Sequence, residues 1–364
     1  MCVPIYIPIG QHVCFFVALL TNTLLLYLIK TRAGNSFGRY RVMMICFSVY
    51  SIFYATVETL TLPVKWLRRF IKLYKFQVLH IQGSGILFYV NSVLKENVKW
   101  GGSLYCGSFA FCISTLATHF IYRYIAVCRS IKLYYFDGYK LYLWFIPPLV
   151  LFSVWATAIQ FIYVPNPETR DFFRNMTREV YEENIDQIAY VGPVYYTWEN
   201  GKRQFRLPDL LGGLLICNII VSTFNLIASH NLIAFQGLSF TTCIICAYKT
   251  YKKLNDFSTQ MSNRTRALNK QLFWTLGLQT LLPCFTQYMP VGLLFILPLF
   301  EIEVGKVGNI VGVTCCLYPA MDPLIAMFMI DRFRNWLFRK ESPSAARSGA
   351  KVYAHTFDRH SSNK

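Results

Sequence analysis

Long runs of apolar residues, separated by polar segments, follow one another along almost the whole chain. A run of about 20 apolar residues forms a helix long enough to cross the hydrocarbon core of a bilayer. The pattern therefore predicts an all-α membrane protein, a bundle of seven transmembrane helices. The predicted spans are 8–29, 40–64, 102–125, 141–164, 210–248, 271–297 and 307–330.

Composition and charge support a membrane protein and predict its orientation. Of the 364 residues, 54% are hydrophobic and 15% are charged, against about 25% charged residues in soluble domains. If the N-terminus lies outside, Lys and Arg greatly outnumber acids in the inner segments and nearly balance them in the outer ones. Excess Lys and Arg stay on the cytoplasmic side, so we expect the N-terminus outside. The net charge of +18 then indicates a membrane surface rather than nucleic-acid binding.

Two polar segments between spans have patterns of their own. Residues 165–209 mix acids, bases and prolines, and we expect them to form a structured cap on the outer side. The basic stretch "KWLRRFIKLYK" (65–75) has apolar residues at helical spacing, which predicts a helix in the membrane interface.

The chain after the last span is predicted to bind the inner surface of the membrane. "DRFRNWLFRK" (331–340) places Phe333, Trp336 and Leu337 on one face of a short amphipathic helix with arginines around it, a pattern that binds membrane lipid. A seven-helix membrane domain of residues 1–340 is therefore followed by 341–364, a Ser, Ala and Arg-rich tail that we expect to be disordered and cytoplasmic.

The third span ends on an arginine between two tyrosines, Tyr122-Arg123-Tyr124. One interpretation is a flanking charge that reaches the interface, anchored by the tyrosines. The other is a switch residue whose five donors accept different partners in two packings of the bundle. His119 lies one turn earlier on the same face, either to orient the arginine or as a hydrogen-bonded core residue.

The seventh span carries two prolines one turn apart in "YPAMDPL". Pro319 and Pro323 free the carbonyls of Cys315 and Pro319 from their helical hydrogen bonds. Asp322 stands between the prolines, and an ionisable residue inside a span is a functional candidate by default. The segment is either a static kink or a hinge near the inner end of the bundle.

Other polar residues inside the spans are candidates for lining a ligand cavity. Glu58, near the outer end of the second span, faces either such a cavity or the outer interface. Gln279, Gln287 and Tyr288 in the sixth span are further candidates, each a weak signal on its own.

The chain has no motif that indicates an enzyme, such as a nucleophile elbow, a phosphate loop or a zinc-binding helix. Its cysteines lack His or carboxylate partners at ligand spacing, so we expect no metal and no cofactor. Two glycosylation motifs test the orientation. Asn175 in the predicted cap is a candidate for modification, whereas Asn263 in an inner loop is not.

Four separated segments, in order, resemble the nematode seven-transmembrane chemoreceptors of the Str family. They are "GRYRVMMICFSVYSIFYATVETLTLP" (38–63), "HFIYRYIAVCR" (119–129), "LNKQLFWTLGLQTLLP" (268–283) and "YPAMDPL" (318–324). The resemblance implies a G-protein-coupled chemosensory receptor in the cell membrane, placed on the sensory cilium of chemosensory neurons. It implies a small odorant-like ligand and a heterotrimeric G protein as partners.

The resemblance also assigns roles to residues at the inner side. Tyr122-Arg123-Tyr124 stands where rhodopsin-like receptors carry an acid-Arg-Tyr motif, and Tyr122 replaces the acid that usually holds the arginine. The segment Pro319, Asp322 and Pro323 is similar to the seventh-helix hinge of those receptors without its Asn-Pro start. These residues are therefore expected to form the G-protein-coupling switch.

Two other functional classes remain open from the sequence. A membrane solute transporter or a ligand-gated channel would suit a polytopic helical protein, although the chain shows no inverted repeat or matched pair of broken helices. A membrane scaffold without signalling would tolerate replacement of Arg123.

The fifth predicted span, 210–248, is too long for one crossing. Either the helix extends or re-enters on the outer side, or residues 221–236 are a retained intron. Val221-Ser222 and Phe235-Gln236 can be encoded by GTA-AGT and TTT-CAG, which resemble the two ends of a nematode intron. Removing 221–236 keeps the reading frame and leaves a span of ordinary length.

Overall fold

Six helices in the described part of the chain are long and apolar enough to cross a membrane. The computed structural model describes residues 6–33, 37–61, 74–92, 98–182, 184–213, 238–256 and 262–338. The six spans contain α1 (Tyr6–Arg32), α2 (Tyr40–Thr61), α3 (Val98–Cys128), α5 (Ile146–Phe161), α9 (Asn263–Pro283) and α11 (Asn309–Met329). Six of the seven predicted spans are thereby confirmed.

Shorter helices complete the bundle. Helix α4 (Lys140–Leu143) leads into α5, α10 (Met289–Ile296) prolongs α9, and α12 (Asp331–Leu337) follows α11. The fifth predicted span is described only at its ends, as α7 (207–213) and α8 (Leu238–Asn255). The stretch 221–236 lies outside the described residues, as does the tail 341–364.

Helix α3 lies at the centre of the bundle and packs against α2, α5 and α8. Small residues on α3 allow this close packing, as is common between helices in membranes. A Cβ added at Gly107 would lie 2.9 Å from the Phe152 carbonyl oxygen on α5. Only a glycine fits there, so the sequence itself sets how closely the two helices approach.

A small β-structure covers one end of the bundle, which corrects the all-α prediction. Strands β1 (Tyr74–Gln82) and β2 (Gly85–Ser92) form an antiparallel hairpin, and β3 (Ala189–Val191) pairs with β2. A second hairpin joins β4 (Tyr196–Glu199) to β5 (Lys202–Phe205). The interfacial helix predicted over 65–75 is wrong at its end, because Tyr74 and Lys75 begin β1; residues 65–73 lie outside the described residues.

Helix α6 (Pro167–Tyr181) lies over the three-stranded sheet, and together they form the cap (74–92 and 165–209). Asn166 and Thr169 form a capping box that begins α6, and Glu182 in the left-handed conformation ends it. Phe173 and Met176 of α6 pack with Leu87 and Tyr190 of the sheet in one apolar cluster. The structured cap predicted for 165–209 is therefore confirmed.

The cap joins two loops through the backbone. Phe88 pairs with Val191, and the Ile86 amide donates to the Pro193 carbonyl at 3.0 Å. A Cβ at Gly192 would lie 1.8 Å from the Ile86 carbonyl oxygen, so this seam requires glycine. Strand pairing thus fixes the loop 165–209, which has no cysteine of its own.

Candidate functional site

A cavity of about 140 Å³ lies directly beneath the sheet, at the cap end of the bundle. Its walls are mostly apolar and come from the strands, from α3 and α5, and from α10 and α11. Among the residues that line it are Phe88, Val191, Ile159, Leu294, Phe295 and Val311. We call this space the cap cavity.

Four side chains with polar groups also line the cap cavity: Gln11, Tyr105, Tyr163 and Asn309. The Tyr105 hydroxyl donates to Glu58 Oε1 at 3.4 Å, and Glu58 is buried. Glu58 therefore lies inside the bundle, behind the cavity wall formed by Tyr105, and not at the outer interface. An apolar pocket with a few fixed polar groups is the usual form of a small-molecule site.

Buried polar contacts tie the cap to the seventh span. His80 Nδ1 lies 2.8 Å from the Tyr181 hydroxyl, and Asn309 Oδ1 accepts from the Leu79 amide at 3.0 Å. Tyr181 also hydrogen-bonds Asn309, and burial raises the pKa of Tyr181 above its ordinary value. A group that enters the cavity therefore touches both the cap and the first turn of α11.

The prolines of the seventh span leave carbonyls free, and amide side chains from other helices bind both of them. Gln287 Nε2 donates to the Cys315 carbonyl at 3.3 Å, and Asn22 Nδ2 donates to the Pro319 carbonyl at 2.9 Å. The sequence predicted the free carbonyls but not the amides, because an amide on a distant helix has no spacing signal that links it to a proline. Asn22 was not among the predicted residues.

The sixth span has its own irregularity beside this kink. After α9 ends at Pro283, residues Cys284–Tyr288 form a π-helical turn before α10. Single π-helical turns of this kind are frequent at functional sites. Gln287 stands on this turn and also donates to the Tyr54 hydroxyl at 3.2 Å, so the turn is bonded to both α2 and α11.

The remaining predicted cavity residues lie in the core. Gln279 Nε2 donates to Asp322 Oδ2 at 2.8 Å, and Tyr288 packs edge-on against Phe109. Glu58, Gln279, Gln287 and Tyr288 are not among the residues that line the cap cavity. That a ligand reaches them stays a prediction.

Arg123 is buried at the opposite end of the bundle, which we call the arginine end (the C-terminal part of α3 with the facing ends of α2, α11 and α12). The guanidinium Cζ lies 3.5 Å from the centroid of the Tyr40 ring and 5.9 Å from that of Tyr122. Only 3% of Arg123 is exposed, so in this packing it does not reach the surface. Tyr124 is partly buried beside it.

Helix α12 is an amphipathic helix of the arginine end and packs against α1 and α11. Phe333 is fully buried, and Trp336 packs against Tyr27 of α1. Arg332 Nη1 donates to the Ala33 carbonyl at 3.0 Å, which closes the start of α12 onto the end of α1. The amphipathic helix predicted for 331–340 is thus present over Asp331–Leu337.

Among the described residues, no group of His, Cys, Asp and Glu side chains is arranged to hold a metal ion. The two ends of the bundle instead offer a ligand-sized cavity and a buried cation. The kinked α9–α10 and α11 connect them.

Comparison with known proteins assigns the chain to a family. Residues 8–230 and 221–338 match the family described as "Serpentine type 7TM GPCR chemoreceptor Str". The chain is 33% identical over 339 residues to "Serpentine receptor class r-10" of Caenorhabditis elegans, covering 90% of each chain. It is 31% identical to "Serpentine receptor class r-10" of Caenorhabditis briggsae, covering 89% of this chain and 87% of the relative. It is also 25% identical to "G-protein coupled receptor str-33" of C. elegans, covering 93% and 91%.

Proposed function

Because this chain belongs to the Str family of serpentine seven-transmembrane chemoreceptors, we propose that it detects a small external molecule and activates a heterotrimeric G protein. The cap cavity faces outside and binds the ligand, and the arginine end faces the cytoplasm. The receptor lies in the cell membrane as a multi-pass protein, and a sensory cilium is the location that suits this role.

One observation carries the proposal: the cap cavity is lined by the two kinked elements of the bundle. Val291 and Leu294 lie on α10, next to the π-helical turn, and Gly312 and Cys315 lie on α11. Cys315 is also the residue whose carbonyl Gln287 binds. A ligand in the cavity therefore presses on the bend itself and shifts the bundle between two packings.

The cavity indicates the size and polarity of the ligand. An engineered apolar cavity of about 150 Å³ holds benzene, and the cap cavity has about 140 Å³. We propose a neutral, mostly apolar molecule of similar size with one acceptor that the Gln11 amide binds.

The residues that we propose to act as the switch lie at or near the arginine end. We propose that Arg123 contacts the G protein once the bundle opens, and that Pro319, Asp322 and Pro323 form the moving segment. Tyr122 and Tyr124 flank the arginine in this site. The basic inner loops and α12 offer a surface complementary to an acidic partner and to anionic lipid.

A pair of variants on α10 tests the ligand site. Val291→Phe fills the cap cavity, whereas Leu293→Phe places the same ring on an outward, exposed position. We expect Val291→Phe to abolish the second-messenger response to small neutral volatiles at normal surface amounts, and Leu293→Phe to leave it unchanged. Equal responses in the two variants would show that the ligand binds elsewhere.

A second pair tests signalling. Arg123→Ala should keep surface delivery and ligand binding while abolishing G-protein activation, and the exposed Arg129→Ala is the matched control at the same end. A ligand-evoked response that persists without ion flux excludes a transporter or channel. Wild-type signalling by delivered Arg123→Ala would contradict the switch role.

We also infer that residues 221–236 are a retained intron and are absent from the working receptor. The family match supports this, because it comes in two pieces that both include residues 221–230, as extra residues inside one span would produce. Sequencing of the mature transcript decides the question, and a message that encodes 221–236 throughout would refute the inference.

A further inference from the structure

The guanidinium of Arg123 is buried without a carboxylate. Among the described residues Arg123 forms no ion pair, and its Nε and Nη2 have no hydrogen-bond partner. Two acids of neighbouring elements bind other groups, since Asp322 accepts from Gln279 and Asp137 pairs with Arg39. A buried cation is costly unless something compensates its charge.

The ring face of Tyr40 provides this compensation. The Arg123 Cζ lies 3.5 Å from the ring centroid, within the distance at which a cation is attracted to an aromatic face. Both groups are only 3% exposed, so water does not weaken the contact. Desolvated cation–π contacts are the strongest of their kind.

Neighbouring rings hold Tyr40 in this position. Its ring stacks on Tyr122 at 5.5 Å with an interplanar angle of 24°, and it meets His119 edge-on at 5.7 Å. Tyr122 in turn packs edge-on against Phe136 at 5.0 Å. The residue that replaces the acid thus supports the ring that covers the arginine.

The contact crosses between two elements. Tyr40 is the first residue of α2, whereas Arg123 stands near the end of α3. Any movement that separates these ends must break the contact before Arg123 becomes accessible to a partner. We propose that Tyr40 is a positioning residue that holds Arg123 inside the closed bundle, in place of the missing acid. This inference rests on the proposed function.

Substitutions at Tyr40 test this proposal through basal signalling, measured without ligand and normalised to surface amount. Tyr40→Leu removes the ring face, and basal signalling should rise by roughly tenfold, the factor that a contact of about 1.4 kcal/mol shifts an equilibrium. Tyr40→Phe keeps the face and removes only the hydroxyl, which also hydrogen-bonds the arginine, so basal signalling should stay well below that of Tyr40→Leu. The double variant Tyr40→Leu with Arg123→Ala should be silent.

A matched control separates the contact from general loss of packing. Phe47 is buried two turns along the same helix, and its ring packs on His119 at 5.1 Å rather than on Arg123. Phe47→Leu therefore deletes a ring of the same cluster and leaves the cation–π contact in place. Phe47→Leu should not raise basal signalling. The proposal is overturned if Phe47→Leu raises it as much as Tyr40→Leu does, if Tyr40→Phe behaves like Tyr40→Leu, or if well-delivered Tyr40→Leu stays at the wild-type level.

A second measurement does not depend on a G protein. The Cys128 thiol, at the end of α3, lies 3.5 Å from the Lys249 carbonyl of α8. Opening of this end should speed its labelling by a maleimide in Tyr40→Leu, relative to wild type and Tyr40→Phe. Faster labelling without any signalling would uphold the role of Tyr40 and reject the proposed G-protein coupling, whereas unchanged labelling would reject the role of Tyr40.

Discussion

The two ends of the bundle are held together by different kinds of interaction. At the cap, backbone hydrogen bonds join β1, β2 and β3, and a glycine fixes the closest approach. At the arginine end, single side chains make the decisive contacts, above all Tyr40 with Arg123 and Gln279 with Asp322. The cap is therefore held by a continuous backbone ladder, whereas a contact at the arginine end is lost when one side chain moves.

Buried polar atoms without a hydrogen-bond partner occur at both ends. In the cap, the Ser84 hydroxyl donates to the Tyr196 carbonyl and His80 meets Tyr181, but Gln82 Oε1 has no partner among the described residues. Near the arginine end, His119 Nε2 and Asp322 Oδ1 have no hydrogen-bond partner in the described part of the chain either. A buried polar atom without a partner raises the free energy of this packing relative to one that satisfies it. The two ends therefore differ in what joins their elements, which is a backbone ladder at the cap and single side chains at the arginine end.

The largest loss of stability is expected where the two loops of the cap approach each other most closely. Gly192→Ala places a Cβ 1.8 Å from the Ile86 carbonyl oxygen, and a backbone atom cannot move aside as a side chain can. We expect the cap to lose about 3 kcal/mol or more, and the amount of receptor at the cell surface to fall accordingly.

Surface labelling of intact cells measures this loss. Gly277→Ala is the control, because no atom lies within 4 Å of its added Cβ and alanine favours a helix. Normal delivery of Gly192→Ala would mean that the seam between the two loops does not hold the cap.

A smaller effect is expected at the kink that connects the two ends. Gln287→Met keeps the volume of the side chain but removes the donor to the Cys315 carbonyl, which leaves a buried acceptor unpaired. The expected loss is about 1–3 kcal/mol, seen as a lower Tm of the purified receptor. Gln187→Met on the exposed surface of the cap is the control. An unchanged Tm would show that the free carbonyl needs no partner.

A still smaller effect on folding is expected at Asp322. Asn keeps the acceptor that Gln279 Nε2 binds but removes the charge, whose Oδ1 has no partner in the described structure. Removing this cost should favour the closed packing, so Asp322→Asn should lower basal and ligand-evoked signalling while surface delivery stays within about twofold of wild type. A variant that only fails to reach the surface would indicate a static kink.

Most of the bundle could be predicted from the sequence, because the length of an apolar run decides whether a helix can span a bilayer. The α9 span begins eight residues before predicted residue 271, since the polar stretch from Asn263 continues the helix beyond the apolar run. The strands were missed because hydrocarbon-length runs dominate the pattern, and no element was predicted for the short "QGSG" turn at Gln82–Gly85. That turn, with Gly83 at positive φ, is the signal that indicates the hairpin.

The site was readable only in part. Sequence reasoning singled out Arg123, Asp322 and the carbonyls freed by the prolines, because charges and prolines inside spans are conspicuous. It missed Tyr40 and Asn22, whose roles depend on which helices become neighbours, and an apolar pattern does not encode this.

The last prediction concerns which end of the bundle faces outside. Its substitutions, at two exposed asparagines, should leave the stability of the receptor almost unchanged. Asn175 is exposed on α6 of the cap, and Asn263 is exposed at the start of α9, on the side of the bundle away from the cap. Only one of these ends faces the lumen where glycans are added, and the charge distribution predicts that it is the cap. Glycosidase treatment should therefore shift the mobility of the wild type and of Asn263→Gln, but not of Asn175→Gln.

The structure adds a condition on when this modification occurs. The Thr177 hydroxyl of the motif is buried and donates to the Phe173 and Arg174 carbonyls within α6. A transferase that must contact this hydroxyl acts before α6 folds, so the glycan is added during insertion and not to the finished cap. Purified, folded receptor that lacks the glycan should then resist modification at Asn175. A glycan on Asn263 in cells would instead show that the orientation is the reverse of the predicted one, with Arg123 outside.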